Sequence, residues 1–150
     1  MRLAVFLDST PLSELAHPKT SGAIRASLAK FGISSSLVVI PAIVDYEVRR
    51  EPLRLGRAES IERLDELSRV NEFVPVTQPA LLLAAEFWAR VRREGRPTAG
   101  ADALDADVIL AAQAATWARD TGDDIIVATS NARHLARFVP AAHWTEIVAP

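Results

Sequence analysis

The chain opens on an unbroken apolar run, Leu3-Ala4-Val5-Phe6-Leu7, closed by Asp8. Apolar residues without polar alternation predict a strand covered on both faces, as in a parallel sheet. Asp8 then stands at the strand's C-terminal edge, where open α/β sheets bind ligands. Ser9-Thr10-Pro11 predicts a turn into a helix, with Ser9 or Thr10 as N-cap and Pro11 in the first helical position. The helical pattern continues to Phe31 in two pieces. Ser21-Gly22 starts the second and Gly32 ends it as a C-cap.

The same alternation repeats downstream. Leu37 to Ile40 is a short β-branched strand, and Pro41 opens a helix that Glu51-Pro52 closes. Gly56 to Asn71 predicts a helix with Ile61, Leu64, Leu67 and Val70 on its buried stripe. Phe73-Val74-Pro75-Val76 is a third strand, and its proline argues for a sheet edge. Thr77 caps a helix from Pro79 to Glu94, and Gly95 to Gly100 form a loop. Leu104-Asp105-Ala106-Asp107 leads into an alanine-rich helix from Val108 to Arg119, ended by Gly122. Asp124 to Thr129 is a fourth strand, a short helix reaches Phe138, and Trp144 to Val148 is a candidate fifth strand. Strands alternating with helices predict a parallel sheet with helices on both faces and right-handed crossovers.

Composition narrows the chemistry. At 150 residues the chain has the length of one domain, 1–150, and enough material to bury a sizeable core. With no cysteine, disulfides and thiolate metal sites are excluded. The start shows no signal-peptide pattern and no apolar run is long enough for a membrane span, so a cytoplasmic protein with no membrane partner is expected. Net charge is −2, which does not mark a nucleic-acid binder. The positive charge is nearly all arginine, clustered at Arg49, Arg50, Arg54 and Arg57, at Arg90, Arg92, Arg93 and Arg96, and at Arg133 with Arg137. Arginine suits bidentate phosphate contacts, although most of these positions read as solvated helix faces.

The acids fall at the ends of elements. Asp8 ends strand one, and Asn131 lies just past strand four. If those strands are neighbours, Asp8 and Asn131 flank one crevice. Asp105 and Asp107 open the helix leading into strand four. One of them serves as a cap, but two acids in three residues, with Asp102, exceed what capping requires. Glu47 follows Ile43 by four residues and Val44 by three, so it borders an apolar stripe and points inward. Either Arg50 pairs with it or a cation does. Asp45 is about 200° away by the helical period; it should face water and pair with Arg49. Carboxylates converging on one crevice stay ionised together only around a cation. The hard oxygen donors favour Mg²⁺ or Mn²⁺ over zinc, and such a site suits phosphodiester hydrolysis.

Four pieces in order resemble the PIN-domain ribonucleases, and most of all the VapC-type toxins of bacterial toxin–antitoxin pairs. They are Leu7-Asp8-Ser9, the helix glutamate Glu47, the run Asp107-Val108-Ile109-Leu110-Ala111-Ala112-Gln113-Ala114, and Ala128-Thr129-Ser130-Asn131-Ala132-Arg133-His134-Leu135. The resemblance spans essentially the whole chain. It implies a three-layer α/β/α fold around a mostly parallel sheet of four to five strands. It also implies Mg²⁺- or Mn²⁺-dependent endonucleolytic cleavage of RNA, leaving a 5′-phosphate and a 3′-hydroxyl. Carried over, Asp8, Glu47 and Asp107 are the core acids holding the metal, and Asp105 is a further ligand or a supporting group. The family often has an acid where this chain has Asn131, whose amide oxygen can bind metal or orient water but adds no charge. Thr129 or Ser130 is placed to hydrogen-bond a carboxylate or a phosphate, and His134 reads as a surface or capping residue.

Other strand-plus-aspartate enzymes fail on single residues. A haloacid dehalogenase-type phosphotransferase needs an aspartate where Thr10 stands. A response-regulator receiver needs a late lysine, and Lys19 and Lys30 are both early. Two readings stay open beside the toxin: a PIN-like module that binds RNA or protein without cutting, and a housekeeping RNA-processing nuclease. The resemblance implies a homodimer and a cognate antitoxin seated in a groove that the helix from Arg57 to Asn71 helps to form. Trp88, Trp117 and Trp144 with Phe87 offer anchor material, with Phe87 and one or two tryptophans assigned to the core.

Overall fold

The computed structural model describes residues 2–95 and 101–150, and only the backbone of 101–103. The loop predicted after Gly95 lies, apart from Gly95 itself, outside the described residues. Five strands form one sheet in the order β3-β2-β1-β4-β5, and every pairing is parallel. They are β1 (Leu3–Leu7), β2 (Leu37–Pro41), β3 (Glu72–Val74), β4 (Asp124–Ala128) and β5 (Ala141–Ala142). The first three connections carry α1 (Ser9–Ala16), α2 (Ser21–Ile33), α3 (Ala42–Leu55), α4 (Ala58–Val70), α5 (Gln78–Glu94) and α6 (Ala101–Thr121), and α7 (Ala132–Leu135) joins β4 to β5.

The apolar first strand is central because its residues have nowhere else to go. Ala4, Val5, Phe6 and Leu7 have no exposed surface. β1 pairs with β2 on one side and with β4 on the other, in a register that sets Leu7 against Ala128. The chain runs from β1 outward through β2 to β3, then returns to β4 on the other side of β1 and ends at β5. The helices touch each other in matching sets, α1 with α2, α3 and α4, and α5 with α6. Helices therefore flank the sheet, as the strand–helix alternation predicts. One core joins the strands to Leu12, Ile24, Phe31, Leu64 and Leu110; a second lies between α5 and α6 around Ala84, Val91 and Val108.

Several local expectations are corrected. Asp8 is the N-cap of α1, in place of Ser9 or Thr10, so Pro11 stands third in the helix. Gly32 lies inside α2, whose C-cap is Ser34. Pro41 is the N-cap of α3, and that helix runs through Pro52 to Leu55, ending where Gly56 takes a left-handed φ of 66°. A proline one turn from a helix end removes a single donor, which the helix tolerates here. Val70 is exposed, while Leu64 carries the buried face of α4. α6 begins at Ala101, so Asp105 and Asp107 lie within the helix and cap nothing. The fifth strand is Ala141–Ala142. Two backbone hydrogen bonds dock this segment on β4, Val127 N–H to Pro140 O (2.9 Å) and Thr129 N–H to Ala142 O (3.0 Å). Trp144 and Ile147, expected in that strand, are buried without belonging to it. Thr77 caps α5 as expected, its hydroxyl accepting from Ala80 N–H at 3.3 Å.

Candidate active site

Chain order reverses at β1, between β2 and β4, and this switch point opens a crevice at the strands' C-terminal ends. Asp8 stands in it. Asp8 N–H extends the ladder by donating to Ala128 O at 3.0 Å, which fixes the backbone. Its two carboxylate oxygens are divided: Oδ1 accepts from Ser9 N–H at 2.7 Å, and Oδ2 accepts from the Thr129 hydroxyl at 2.7 Å. Asp8 is thus a helix cap whose second carboxylate oxygen is tied across the switch point to Thr129. Thr129, fully buried, accepts from Asn131 N–H at 2.9 Å while donating to Asp8. The loops after β1 and β4 also meet through the hydroxyls of Thr10 and Ser130, 2.9 Å apart.

The other two acids that the resemblance implies, Glu47 and Asp107, arrive on α3 and α6, which touch. Val44 is buried on α3, so Glu47 one turn later leans toward the same side and is half-buried. Asp107 is half-buried on α6, next to the buried Val108. Burial raises the Glu47 carboxyl above the usual range, and the Asp8 charge adds to this, while Arg50 opposes it. Burial pushes Asp107 up to about 6, with the charges of Asp8 and Glu47 adding to it and Arg137 opposing. The structure thus brings Asp8, Glu47 and Asp107 into one shared field.

Two sequence candidates fare differently. Asp105 is exposed and lines a separate cleft between α5 and α6 with Leu81, Trp88 and Ile109. Two residues along a helix turn the side chain through about 200°, away from the Asp107 side. Asn131 sits at the rim, exposed, tied to Asp8 through Thr129. Its Nδ2 lies 3.0 Å from His134 Nδ1, so the amide donates to an imidazole protonated on Nε2. Asp45 is buried, contrary to expectation. Arg49 grips it through Nε (2.9 Å) and Nη2 (3.1 Å) and reaches Asp65 of α4 at 2.7 Å. α4 covers the side of α3 that helical arithmetic left to water.

Sequence reasoning missed Arg137. It is anchored by Nε donating to His134 O at 3.1 Å, packs 5.2 Å from the Phe138 ring centroid, and supplies the positive charge that Asp107 feels. Nothing in its spacing separates it from Arg133. Only the turn after α7 does.

The donor set, carboxylate oxygens with no thiolate, fits a hard divalent cation. Among the described residues, no group of three or more Asp, Glu or His side chains is already drawn in around a metal position. What the acids have is mutual repulsion in a half-buried crevice, which a cation would relieve.

Solved structures share this arrangement of elements. A VapBC structure from Salmonella typhimurium, bound to DNA, matches with a TM-score of 0.71 at 19% identity, covering 95% of this chain and 98% of that one. VapBC-1 from nontypeable Haemophilus influenzae gives 0.70 at 17% identity, over 95% and 99%. FitAcB from Neisseria gonorrhoeae gives 0.63 at 19%, over 95% and 99%. The chain has the PIN-like fold. The resemblance drawn from four short motifs therefore holds at the level of fold along almost the whole chain. No protein-family profile and no curated relative matches the sequence.

Proposed function

We propose that this PIN-like protein is a Mg²⁺- or Mn²⁺-dependent endoribonuclease and the toxin of a toxin–antitoxin pair. The observation that carries the reading is that Asp8, Glu47 and Asp107 feel one another's charge in a half-buried crevice at the switch point, which raises the last two. The structural neighbours named VapBC support the toxin reading, because the motifs of this chain resemble VapC-type toxins.

In this reading Asp8, Glu47 and Asp107 hold the cation. Bound there, it would supply a water of lowered pKa and neutralise charge on the phosphate. Thr129 fixes the rotamer of Asp8, leaving the carboxylate no freedom to turn out of the crevice. The Asn131 amide faces solvent at the rim, in place to orient the phosphate or the attacking water. Arg137 offsets part of the charge on Asp107 until substrate and cation arrive. Asp105 takes no part. Purified chain should cut RNA in Mg²⁺ or Mn²⁺, leave 5′-phosphate ends, and stop in EDTA.

The partner in this reading is a small antitoxin. A groove of about 600 Å³ between α2 and α4, with Leu15, Leu28, Val38, Leu67 and Val70 in its wall, is its seat. This is the groove that the sequence assigned in part to α4. A homodimer goes with the same reading, covering the exposed Leu81, Leu82 and Trp88 of α5, and so does a cytoplasmic location. Among the described residues no helix is long and apolar enough to cross a membrane. Growth arrest on expression, relieved by the neighbouring gene's product, separates a toxin from a housekeeping nuclease. The uncharged Asn131 and the open spacing of the acids favour the second reading, a module that binds RNA or protein without cutting.

A further inference from the structure

The arginines of α3 and α4 divide into two sets. Arg49 is held by Asp45 and Asp65, Arg54 by Glu51, Arg63 by Glu59 and Arg69 by Glu66. Arg50 and Arg57 have no acidic partner at salt-bridge distance among the described residues. Both line a cleft of about 500 Å³ that also takes in Glu47 and the α1 hydroxyls of Ser9, Thr10 and Ser13. Glu14 and Glu51 share the wall, but Glu51 is already engaged by Arg54. A paired arginine has its charge neutralised locally, whereas an unpaired one projects its field into the cleft.

The position of this cleft gives the pattern its meaning. Its wall includes Ser9, which follows Asp8, and Glu47, so it leads away from the point where the acids meet. A chain whose scissile phosphate lies at those acids has its neighbouring phosphates here. Tyr46, which is not part of the cleft wall, is 58% exposed, and the guanidinium of Arg50, which lines the cleft, lies 4.9 Å from its ring centroid. A cation beside an open aromatic face is what single-stranded RNA uses for backbone contact and base stacking.

We infer that this cleft carries the single-stranded RNA segment on one side of the scissile phosphate, with Arg50 and Arg57 contacting its backbone. The inference rests on the nuclease reading above and names the track that reading leaves open.

The test uses the Asp8→Asn chain, which binds without cutting, and a short fluorescein-labelled RNA of mixed, unstructured sequence. Anisotropy titrations are run over a range of salt. Each phosphate contact on a single strand adds about 0.7 to the slope of log affinity against log salt. Adding Arg50→Gln and Arg57→Gln together should lower the slope by about 1.4 and weaken binding about tenfold at low salt. Arg69→Gln, whose charge Glu66 already takes and which lies outside this cleft, should leave the slope unchanged. An unchanged slope in the double variant overturns the inference while the nuclease reading stands. So does an equal loss in Arg69→Gln, which would reduce the effect to net charge. An equal loss on a duplex of the same length contradicts the single-strand assignment. Failure of both the Asp8→Asn chain and the wild-type chain in EDTA to bind the RNA overturns the track, while the nuclease reading is judged separately by cation-dependent cutting.

Discussion

Asp107→Asn should make the metal-free protein more stable while ending its activity. Asp107 has an ordinary carboxylate value of 3.8 in the unfolded chain and is raised to about 6 in the folded one, by burial first and then by Asp8 and Glu47. The folded state therefore binds that proton more tightly than the unfolded chain does. Its contribution to stability is complete below about pH 4 and is lost as pH rises through about 6. At full burial the difference is worth about 3 kcal/mol. Asp107 is only half-buried, and solvent screening reduces this to about 1–2 kcal/mol. Asparagine keeps the shape and removes the charge, so at pH 8 in EDTA the variant should gain that amount. For a chain of this size the gain is about 2–8 °C in Tm. Thermal unfolding of both proteins in EDTA at pH 4 and pH 8 checks it. The gain should appear at pH 8 and vanish at pH 4. Equal stability at pH 8, or the same gain at both pH values, refutes the reasoning.

Other outcomes follow from the same geometry. Thr129→Val removes the hydroxyl shared by Asp8 and Asn131 N–H; denaturant unfolding should show a loss of about 1–3 kcal/mol, and RNA cleavage should fall through kcat with KM unchanged. Asp45→Ala leaves the half-buried Arg49 with Asp65 alone and should cost about 1–3 kcal/mol in denaturant unfolding, while the folded fraction still cuts RNA. Asp105→Asn should stay within about twofold of wild-type cleavage, because that carboxylate faces the α5–α6 cleft. Asn131→Asp adds a fourth charge at the rim and should tighten Mn²⁺ binding, measured by titration calorimetry.

The sequence carried the plan of the fold, because the plan depends on local patterns. A fully apolar β1 can only be central; β3 is at the edge as expected, but it is Glu72–Val74 and not Phe73 to Val76, because the strand stops before Pro75, which has no N–H to give a ladder. Asp8 was legible from the end of its strand, and Glu47 from its spacing to Val44. What could not be read depends on contacts between elements. Asp45 was assigned to water because nothing in α3 announces that α4 will lie across it. Asp105 and Asp107 read as a helix start because two acids in three residues resemble a cap, whereas α6 already runs from Ala101 and holds both inside it. The hydrophobic run from Trp144 suggests the last strand, whereas β5 is two alanines held by backbone hydrogen bonds to Pro140 O and Ala142 O. The role of Arg137 needed the turn after α7, which no periodicity describes.

Asp8, Glu47 and Asp107 are proposed as a cation-dependent site for cutting RNA. The most direct measurement is cleavage of a structured RNA pool by the purified chain with Mg²⁺ or Mn²⁺ and with EDTA, beside the Asp8→Asn protein. The account predicts cutting that requires the cation and is absent from the variant. Clean protein that binds RNA but never cuts it with either metal, or cutting that survives Asp8→Asn, would contradict it.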